Sequence, residues 1–166
     1  MLGLFTKKRK SLGIAFGGGG SRGIVHLGII KVLLRENVDV KYVSGTSIGA
    51  LVGALFSQGK SYEQLLGIAE SISFRDFMTI DLKMQGISSS ERSIGKLIKK
   101  HIDHDSFDGL KKDFCVVATD LCHGKAVTIN SGRLSKSVAM SANFPWIFSP
   151  VEHEGSYFVD GGVFAN

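Results

Sequence analysis

The feature that most constrains this chain is a strand, a glycine-rich turn and a helix, in that order, repeated within its N-terminal third. Ser11–Phe16 is a short apolar segment typical of a strand, and it leads through the glycine-rich segment Gly17–Gly23 into Ile24–Arg35, where apolar residues recur at helical spacing. Val40–Ser44 is again a β-prone segment, and Ile48–Phe56 is a helix too hydrophobic to lie at the surface. Strands that alternate with helices form α/β folds. We therefore predict a three-layer α/β/α architecture with a mostly parallel central sheet.

The rest of the chain continues the mixture of helices and strands. Ser61 followed by Gln64, and Ser88 followed by Glu91, each fit the capping box that begins a helix. No internal repeat or low-complexity linker interrupts the 166 residues, which is an ordinary length for one domain. Further strands are predicted at residues 114–119, 126–129 and 157–159, and a further helix at residues 134–142.

Positive charge is concentrated at the N-terminus. The chain has 20 Lys and Arg against 15 Asp and Glu, a formal net charge of +5, and the run Lys7–Lys10 carries four of the positive charges. The remainder, residues 11–166, is close to neutral, so we predict no nucleic-acid partner. We interpret residues 1–10 as a solvated basic leader and residues 11–166 as the domain. Contact of the leader with an anionic membrane surface is the alternative.

Cysteine content and apolar runs restrict the cellular setting. Cys115 and Cys122 are too few for a disulfide framework, and we interpret them as reduced thiols of a cytosolic protein. No group of Cys and His residues has zinc spacing, so no metal is predicted. The longest apolar run, Ile48–Phe56, is well short of the ~18 residues needed to span a bilayer, and we expect no secretory signal. We predict a cytoplasmic protein, with peripheral attachment to a membrane as an option.

The pattern Gly-x-Ser-x-Gly occurs twice, around Ser21 and around Ser47. With 21 glycines in the chain, such a match is weak by itself, and only its position between a strand and a helix gives it meaning. The segment Gly45–Gly49 follows its strand directly and ends in a helix, which is the context of a nucleophile elbow. Ser21 lies deeper in its loop, four residues past Gly17. We therefore predict Ser47 as the nucleophile, and the alternative is an ordinary tight turn.

The first glycine loop fits two functions. Gly18, Gly20 and Gly23 match the Gly-x-Gly-x-x-Gly fingerprint of dinucleotide-binding proteins, with Asp39 at about the sequence distance expected of the ribose-binding acid. The backbone amides of the same loop, ahead of a helix, suit an acyl-transfer oxyanion equally well. Asp39 precedes its strand instead of ending it, and the loop lacks a Walker A lysine. Nucleotide or phosphate binding is therefore kept as the alternative function.

Three motifs in a fixed order resemble the patatin-like phospholipase family. They are Gly18–Gly23, Gly45–Gly49 and Asp160–Gly162, and the segments Ala118–Leu121 and Ser141–Pro145 are similar to further family landmarks. The resemblance covers nearly the whole chain. It implies an α/β/α fold and a Ser–Asp dyad that cleaves acyl esters of phospholipids or lysophospholipids at a membrane surface, without a cofactor.

Carried over to this sequence, the resemblance implies that Ser47 is the nucleophile and Asp160 the base that takes its proton. No histidine follows Asp160, so a Ser-Asp-His triad in α/β-hydrolase order does not fit the sequence. The apolar residues that flank Asp160 predict a desolvated carboxylate with a raised pKa. The implied oxyanion hole consists of the amides of Gly18, Gly19 and Gly20, with Arg22 nearby, and the motif glycines are Gly23, Gly45, Gly49, Gly161 and Gly162.

Other polar and aromatic residues have structural interpretations. His26 is expected to be packed in the first helix, and Asp120 to satisfy a turn at the end of its strand. In the patatin-like family the chain normally continues past the acidic motif, whereas this one stops at Asn166, so we expect either a natural short form or a fragment. Three neighbouring aromatic residues are expected either to line an acyl pocket or to pack in the core, and these are Phe144, Trp146 and Phe148.

Overall fold

A computed structural model describes residues 11–72, 90–145 and 147–165 of the chain. In these ranges, helices and strands alternate as the sequence predicts. The strands are β1 (Leu12–Phe16), β2 (Val40–Thr46), β3 (Asp113–Asp120), β4 (Lys125–Ile129), β5 (Val151–His153) and β6 (Ser156–Asp160). The helices are α1 (Ile24–Arg35), α2 (Ile48–Ser57), α3 (Tyr62–Ser71), α4 (Ser90–His101) and α5 (Leu134–Ser141).

Helix starts follow the capping signals of the sequence. The first predicted box is confirmed, because Ser61 Oγ accepts a hydrogen bond from the Gln64 amide at 3.3 Å and Gln64 Oε1 accepts one from the Ser61 amide at 2.8 Å. This box stabilises the first turn of α3 by pairing backbone N–H groups that have no partner inside the helix. The second predicted box begins at Ser88, which lies outside the described residues; α4 begins at Ser90.

The strands form a mixed sheet in the order β1-β2-β3-β6-β5, with β4 also paired to β3. The pairs β1–β2 and β2–β3 are parallel, as predicted, because helical crossovers connect these strands. The pairs β3–β4, β3–β6 and β5–β6 are antiparallel. Short turns join β3 to β4 and β5 to β6, and a short turn between adjacent strands makes an antiparallel hairpin. The α/β architecture is confirmed, and the parallel part of the sheet is limited to its first three strands.

The described helices pack on one face of this sheet. The connection from β1 to β2 and the connection from β2 to β3 move in the same direction across the sheet. Connections between parallel strands are right-handed, so two that move in the same direction place their helices on the same face of the sheet. Phe16, Val43 and Val116 on the strands share one buried cluster with residues of α1, α2, α3, α4 and α5. On the opposite face Tyr42 is 56% exposed. The second helical layer of the predicted architecture is therefore not found within the described ranges.

Helix α2 occupies the centre of the fold and positions the site. Every residue from Gly49 to Ser57 is buried, in agreement with the prediction of an internal helix. Phe56 on α2 meets Phe16 at the end of β1 edge to face, with the ring centroids 6.1 Å apart. In the described parts of the chain, no helix is long and apolar enough to cross a bilayer.

Candidate active site

Ser47 lies on a sharp turn between the end of β2 and the start of α2. Its backbone angles, φ 57° and ψ −126°, belong to a region that residues with a side chain rarely adopt. Glycine is required on both sides of the turn. A Cβ at Gly45 would overlap the Gly49 carbonyl oxygen, and one at Gly49 would overlap the Phe16 carbonyl oxygen. The turn therefore has the strained strand-to-helix geometry of a nucleophile elbow.

The hydroxyl of Ser47 is hydrogen-bonded to a carboxylate from the far end of the chain. Ser47 Oγ donates to Asp160 Oδ2 at 2.5 Å. Asp160 is the last residue of β6, which pairs with β3 so that Ala118 lies opposite Asp160. Because β3 is also the neighbour of β2, the strand order brings the end of β6 to the elbow. The structure thus brings together the two residues predicted as nucleophile and base.

Asp160 is held in place from several directions. Its backbone amide donates to the Asn143 carbonyl oxygen at 2.9 Å, and its own carbonyl oxygen accepts from Thr119 Oγ1 at 3.0 Å. The second carboxylate oxygen, Oδ1, accepts from the Gly162 amide at 2.8 Å. A Cβ at Gly161 would overlap the Val117 carbonyl oxygen. This glycine therefore lets the chain after Asp160 lie directly against β3.

The environment of Asp160 changes its acidity. Burial raises the pKa of this carboxyl above its ordinary value, while the hydrogen bonds from Ser47 and Gly162 oppose that rise in pKa without cancelling it. The residue is 4% exposed. A carboxylate with a raised pKa is a stronger base, which is the property that proton removal from a serine hydroxyl needs.

Ser141 is part of the site and was not predicted as such. It is the last residue of α5 and is fully buried. Its hydroxyl accepts a hydrogen bond from the Ser47 amide at 2.9 Å and donates one to the Val117 carbonyl oxygen at 2.5 Å. The hydroxyl therefore connects the elbow to the central strand β3. The signal in the sequence was the Ser141–Pro145 segment, which resembles a family landmark but carries no indication of a role.

The glycine loop lies next to the elbow because β1 pairs with β2 up to the contact of Phe16 with Gly45. Gly19 and Gly20 have φ values of 145° and 58°, which favour glycine. Along the described chain, the amides of Gly18, Gly19 and Gly20 donate no backbone hydrogen bond. All three glycines line the cavity beside the elbow.

Three neighbours fix the shape of the loop. The exposed Arg22 side chain contacts the Gly19 carbonyl oxygen, with Nε 3.5 Å away. Gly23 is buried where a Cβ would overlap the Ile48 side chain at the start of α2. His26 Nε2 donates to the Gly17 carbonyl oxygen at 2.9 Å. The half-buried His26 ring also packs against the Phe16 ring, with the centroids 5.1 Å apart, as expected, whereas the sequence did not indicate its contact with Gly17.

A cavity of about 690 Å³ opens beside Ser47 and Asp160. The glycine loop lines it on one side, and Phe144 and Phe148 line it on another. Of the two interpretations left open for these aromatic residues, the pocket fits the exposed Phe144, whereas Phe148 both lines the cavity and belongs to the buried core. Trp146 lies outside the described residues. A volume of this size is within the range of small-molecule pockets, roughly 300–1,000 Å³.

Several residues singled out in the sequence lie elsewhere or serve other contacts. The backbone carbonyl oxygen of Asp39 accepts from the Leu12 amide at the start of β1, whereas the glycine loop follows the opposite end of that strand. Asp120 accepts from Ser156 Oγ, from the His123 ring at 2.7 Å and from the amides of Cys122 and His123, and these hydrogen bonds lower its pKa to about 2. It satisfies the turn after β3, as expected. No group of metal-binding side chains was found in the ranges that the structure describes.

A strained serine turn, a bonded carboxylate and a glycine loop around one apolar cavity define the arrangement found in serine acyl hydrolases. The chain belongs to the patatin-like phospholipase family, whose family model matches residues 14–166. The sequence-based identification of this family is thereby confirmed.

Individual relatives agree with this assignment. The chain is 28% identical to an uncharacterized NTE family protein of Mycobacterium bovis over 153 residues, which are 90% of this chain and 42% of that protein. It is 28% identical to a lysophospholipase of Emericella nidulans over 162 residues, or 95% of this chain and 11% of that protein. Among solved structures, VipD from Legionella pneumophila has a similar fold, with a TM-score of 0.71 at 15% identity, covering 95% of this chain and 46% of that one. The chain spans less than half the length of these relatives.

Proposed function

We propose that this protein hydrolyses carboxylic esters of lipids, with Ser47 as the nucleophile and Asp160 as the general base. The observation that carries the proposal is the 2.5 Å hydrogen bond from Ser47 Oγ to Asp160 Oδ2, on a strained turn at the wall of an apolar cavity. Family membership and the similarity to a lysophospholipase support a lipid ester as substrate.

The reaction follows from the positions of the two groups. The Asp160 carboxylate takes the Ser47 proton while Oγ forms a bond to the ester carbonyl carbon. Collapse of the tetrahedral intermediate breaks the ester bond, and the proton passes from Asp160 to the departing alkoxide. Asp160 then deprotonates a water molecule, which attacks the carbonyl carbon of the acyl-enzyme. As the bond between Ser47 Oγ and the acyl group breaks, the proton returns from Asp160 to Ser47 Oγ and the fatty acid is released. The sequence of steps requires no cofactor.

The oxyanion that forms in these steps needs hydrogen-bond donors. The amide of Ser47 is already bonded to Ser141 and therefore does not serve. Gly18, Gly19 and Gly20 line the cavity, and we assign the oxyanion hole to their amides, with Arg22 as the charged group that contacts the loop. Backbone donors fixed before the reaction stabilise the developing negative charge without reorganisation.

Contact with a lipid surface is supported by the rim of the cavity. Ile24, Phe144 and Val163 line the cavity and are each more than half exposed. Exposed apolar side chains around an opening are typical of a surface that meets a lipid or a protein. We propose that this rim touches a membrane from which the substrate enters. A cytoplasmic location remains a prediction from the sequence.

Nucleotide or phosphate binding by the glycine loop is the second candidate function. It is disfavoured because Asp39, the only candidate for a ribose acid in the fingerprint, lies at the opposite end of β1. A catalytically inactive protein that binds lipid is a third candidate.

The release of fatty acid from micellar lysophospholipid and from phospholipid vesicles distinguishes these functions. We expect Ser47-dependent release, abolished in Ser47→Ala and retained in Ser21→Ala, the matched serine in the other Gly-x-Ser-x-Gly segment. Equal fatty-acid release by the wild-type and Ser47→Ala proteins would contradict the proposal. Micromolar binding of NAD or ATP in calorimetry, without any release of fatty acid, would favour the nucleotide function instead.

A further inference from the structure

Strand β6 ends at Asp160, and its two neighbouring strands pair with it over different lengths. On one side, β3 pairs with β6 as far as Asp160 itself, which lies opposite Ala118. On the other side, the last pair of β5 is Val151 opposite Phe158, two residues before Asp160. Pro150 precedes Val151 and has no backbone N–H with which to extend the ladder. Beyond that pair, the β5 side of β6 needs another partner.

Asn143 supplies this partner. Its backbone carbonyl oxygen accepts from the Asp160 amide at 2.9 Å, and its side-chain Nδ2 donates to the Phe158 carbonyl oxygen at 3.0 Å. Nδ2 also donates to the Ser149 carbonyl oxygen at 3.0 Å, on the segment that leads into β5. One residue therefore pairs with the end of β6 as a strand would.

The contacts of the Asn143 side chain require an amide. The residue is fully buried, and two carbonyl oxygens can both be bonded only by a group with two donors, which the NH2 of an asparagine provides. Its own Oδ1 is buried and has no hydrogen-bond partner among the residues that the structure describes, an arrangement that costs stability. The fold therefore uses the two donors of Asn143 although its acceptor stays unpaired within those residues.

The segment that contains Asn143 also contacts the nucleophile. Asn143 lies two residues after Ser141, whose hydroxyl accepts from the Ser47 amide. The backbone amide of Asn143 donates to the Met140 carbonyl oxygen at 3.3 Å, which joins the residue to the end of α5. Three consecutive residues thus contact both the turn that carries Ser47 and the strand that carries Asp160. Their spacing fixes the position of the carboxylate relative to the serine.

We infer that Asn143 is a positioning residue for Asp160, and that its side-chain amide keeps the carboxylate within hydrogen-bonding distance of Ser47 Oγ. The inference rests on the proposed function of Ser47 and Asp160. Asn143 is not among the residues that line the cavity, and it acts through the backbone of β6. Its replacement should therefore slow proton removal from Ser47 and leave substrate binding nearly unchanged. Displacement of a reacting group by about 1 Å can lower a rate by roughly 10²-fold.

Asn143→Ala is the test variant, and Ser156→Ala is its matched control. Ser156 is also buried, but it lies at the start of β6, where its hydroxyl donates to Asp120. Both variants lose buried hydrogen bonds, and only the first loosens Asp160. With a four-carbon p-nitrophenyl ester, we expect Asn143→Ala to lower kcat about tenfold or more, with KM within about twofold of the wild-type value. Ser156→Ala should keep kcat and KM within about twofold of the wild-type values.

A double-mutant cycle with Asp160→Asn separates positioning from a general loss of stability. If Asn143 acts through the Asp160 carboxylate, its replacement has no further effect once that carboxylate is absent. The readout is the rate at which a fluorophosphonate labels Ser47, measured well below the melting temperature of each variant. We expect the double variant to be labelled within about twofold of the rate of Asp160→Asn alone. A purely structural role would lower the labelling rate by the same factor in both backgrounds.

Asn143→Ser retains one donor in place of two and serves if the alanine variant fails to fold. Its kcat should lie between the values for Asn143→Ala and the wild type. A wild-type kcat in either folded variant, an equal loss in Ser156→Ala, or the same fold-loss in both backgrounds of the cycle would overturn the inference and leave the proposed function standing. Absence of Ser47-dependent hydrolysis in the wild-type protein would instead refute the proposed function, and the inference with it.

Discussion

The backbone amide of Ser47 donates a 2.9 Å hydrogen bond to the hydroxyl of Ser141, a residue 94 positions later in the chain. The same hydroxyl donates to the Val117 carbonyl oxygen on β3. A strained turn persists only where its surroundings hold it, and this pair of hydrogen bonds ties the elbow to the central strand. Ser141 is therefore a positioning residue for the nucleophile.

Replacement of Ser141 by alanine should lower kcat about tenfold or more while KM changes little, because the elbow loses its support but the cavity keeps its walls. It should also lower the free energy of unfolding by about 1–3 kcal/mol, since two buried polar groups lose their partner. Ser137→Ala is the matched control: Ser137 is buried one turn earlier on α5, and its hydroxyl bonds to the Arg133 carbonyl oxygen within the helix. Similar kcat values for the two variants would show that Ser141 does not position Ser47.

Asp160→Asn should separate activity from stability. We expect turnover to fall by about 10²-fold to 10⁴-fold, because an amide cannot accept the Ser47 proton. The folded protein should be at least as stable at neutral pH, since a buried charge is removed. The asparagine oxygen can accept from the Gly162 amide while its nitrogen donates to Ser47 Oγ.

The buried Asp120 provides the contrasting substitution. Its pKa is lowered by hydrogen bonds, so the structure favours its charged form, and Asp120→Asn should lower the melting temperature at neutral pH. A fall in melting temperature in both variants would indicate that the Asp160 charge stabilises the fold, contrary to the direction of its pKa shift.

The raised pKa of Asp160 predicts opposite pH trends for activity and stability. The folded chain holds the Asp160 proton more tightly than the unfolded chain, so ionisation of this group opposes folding. Its contribution to stability is present below the ordinary pKa of an aspartate and is lost as the pH rises through the raised value. Urea unfolding between about pH 4 and pH 7 should show the wild type losing stability relative to Asp160→Asn as the pH rises, while its kcat increases.

Two glycines test the packing of the elbow. Gly49→Ala should destabilise the protein and abolish hydrolysis, because its Cβ would overlap the Phe16 carbonyl oxygen. Gly28→Ala is the control, since Gly28 is an exposed residue of α1 with open space around its Cβ position. It should raise the free energy of unfolding by about 0.5–1 kcal/mol, the usual gain from alanine in a helix. Thermal unfolding measures both changes, and a stable, active Gly49→Ala protein would contradict the described elbow.

Local patterns were enough to predict much of this fold and site. The helical spacing of apolar residues gave α1 with its observed bounds, and the capping signal at Ser61 located α3. The choice of Ser47 over Ser21 as the candidate nucleophile was also possible from the sequence, because it depends on how closely each serine follows its strand. These features depend on a few neighbouring residues, whose physical preferences are visible in the sequence.

The features that sequence patterns did not predict depend on distant pairings. The antiparallel half of the sheet depends on the pairing of β3 with β6. The role of Ser141 depends on its hydrogen bond with Ser47, which lies 94 positions earlier in the chain. Asp39 appeared at a plausible sequence distance from the glycine loop, but the two lie at opposite ends of β1.

Labelling with a fluorophosphonate tests the central claim most directly, because the reagent forms a stable bond only to an activated serine. Trypsin places Ser47 in the peptide of residues 42–60 and Ser21 in the peptide of residues 11–22, so mass spectrometry identifies the modified segment and fragmentation the residue. We predict an adduct on Ser47 in the wild-type and Ser21→Ala proteins, slower labelling in Asp160→Asn and none in Ser47→Ala. An adduct on Ser21, or labelling of Ser47→Ala at the wild-type rate, would contradict the assignment of Ser47 as the nucleophile.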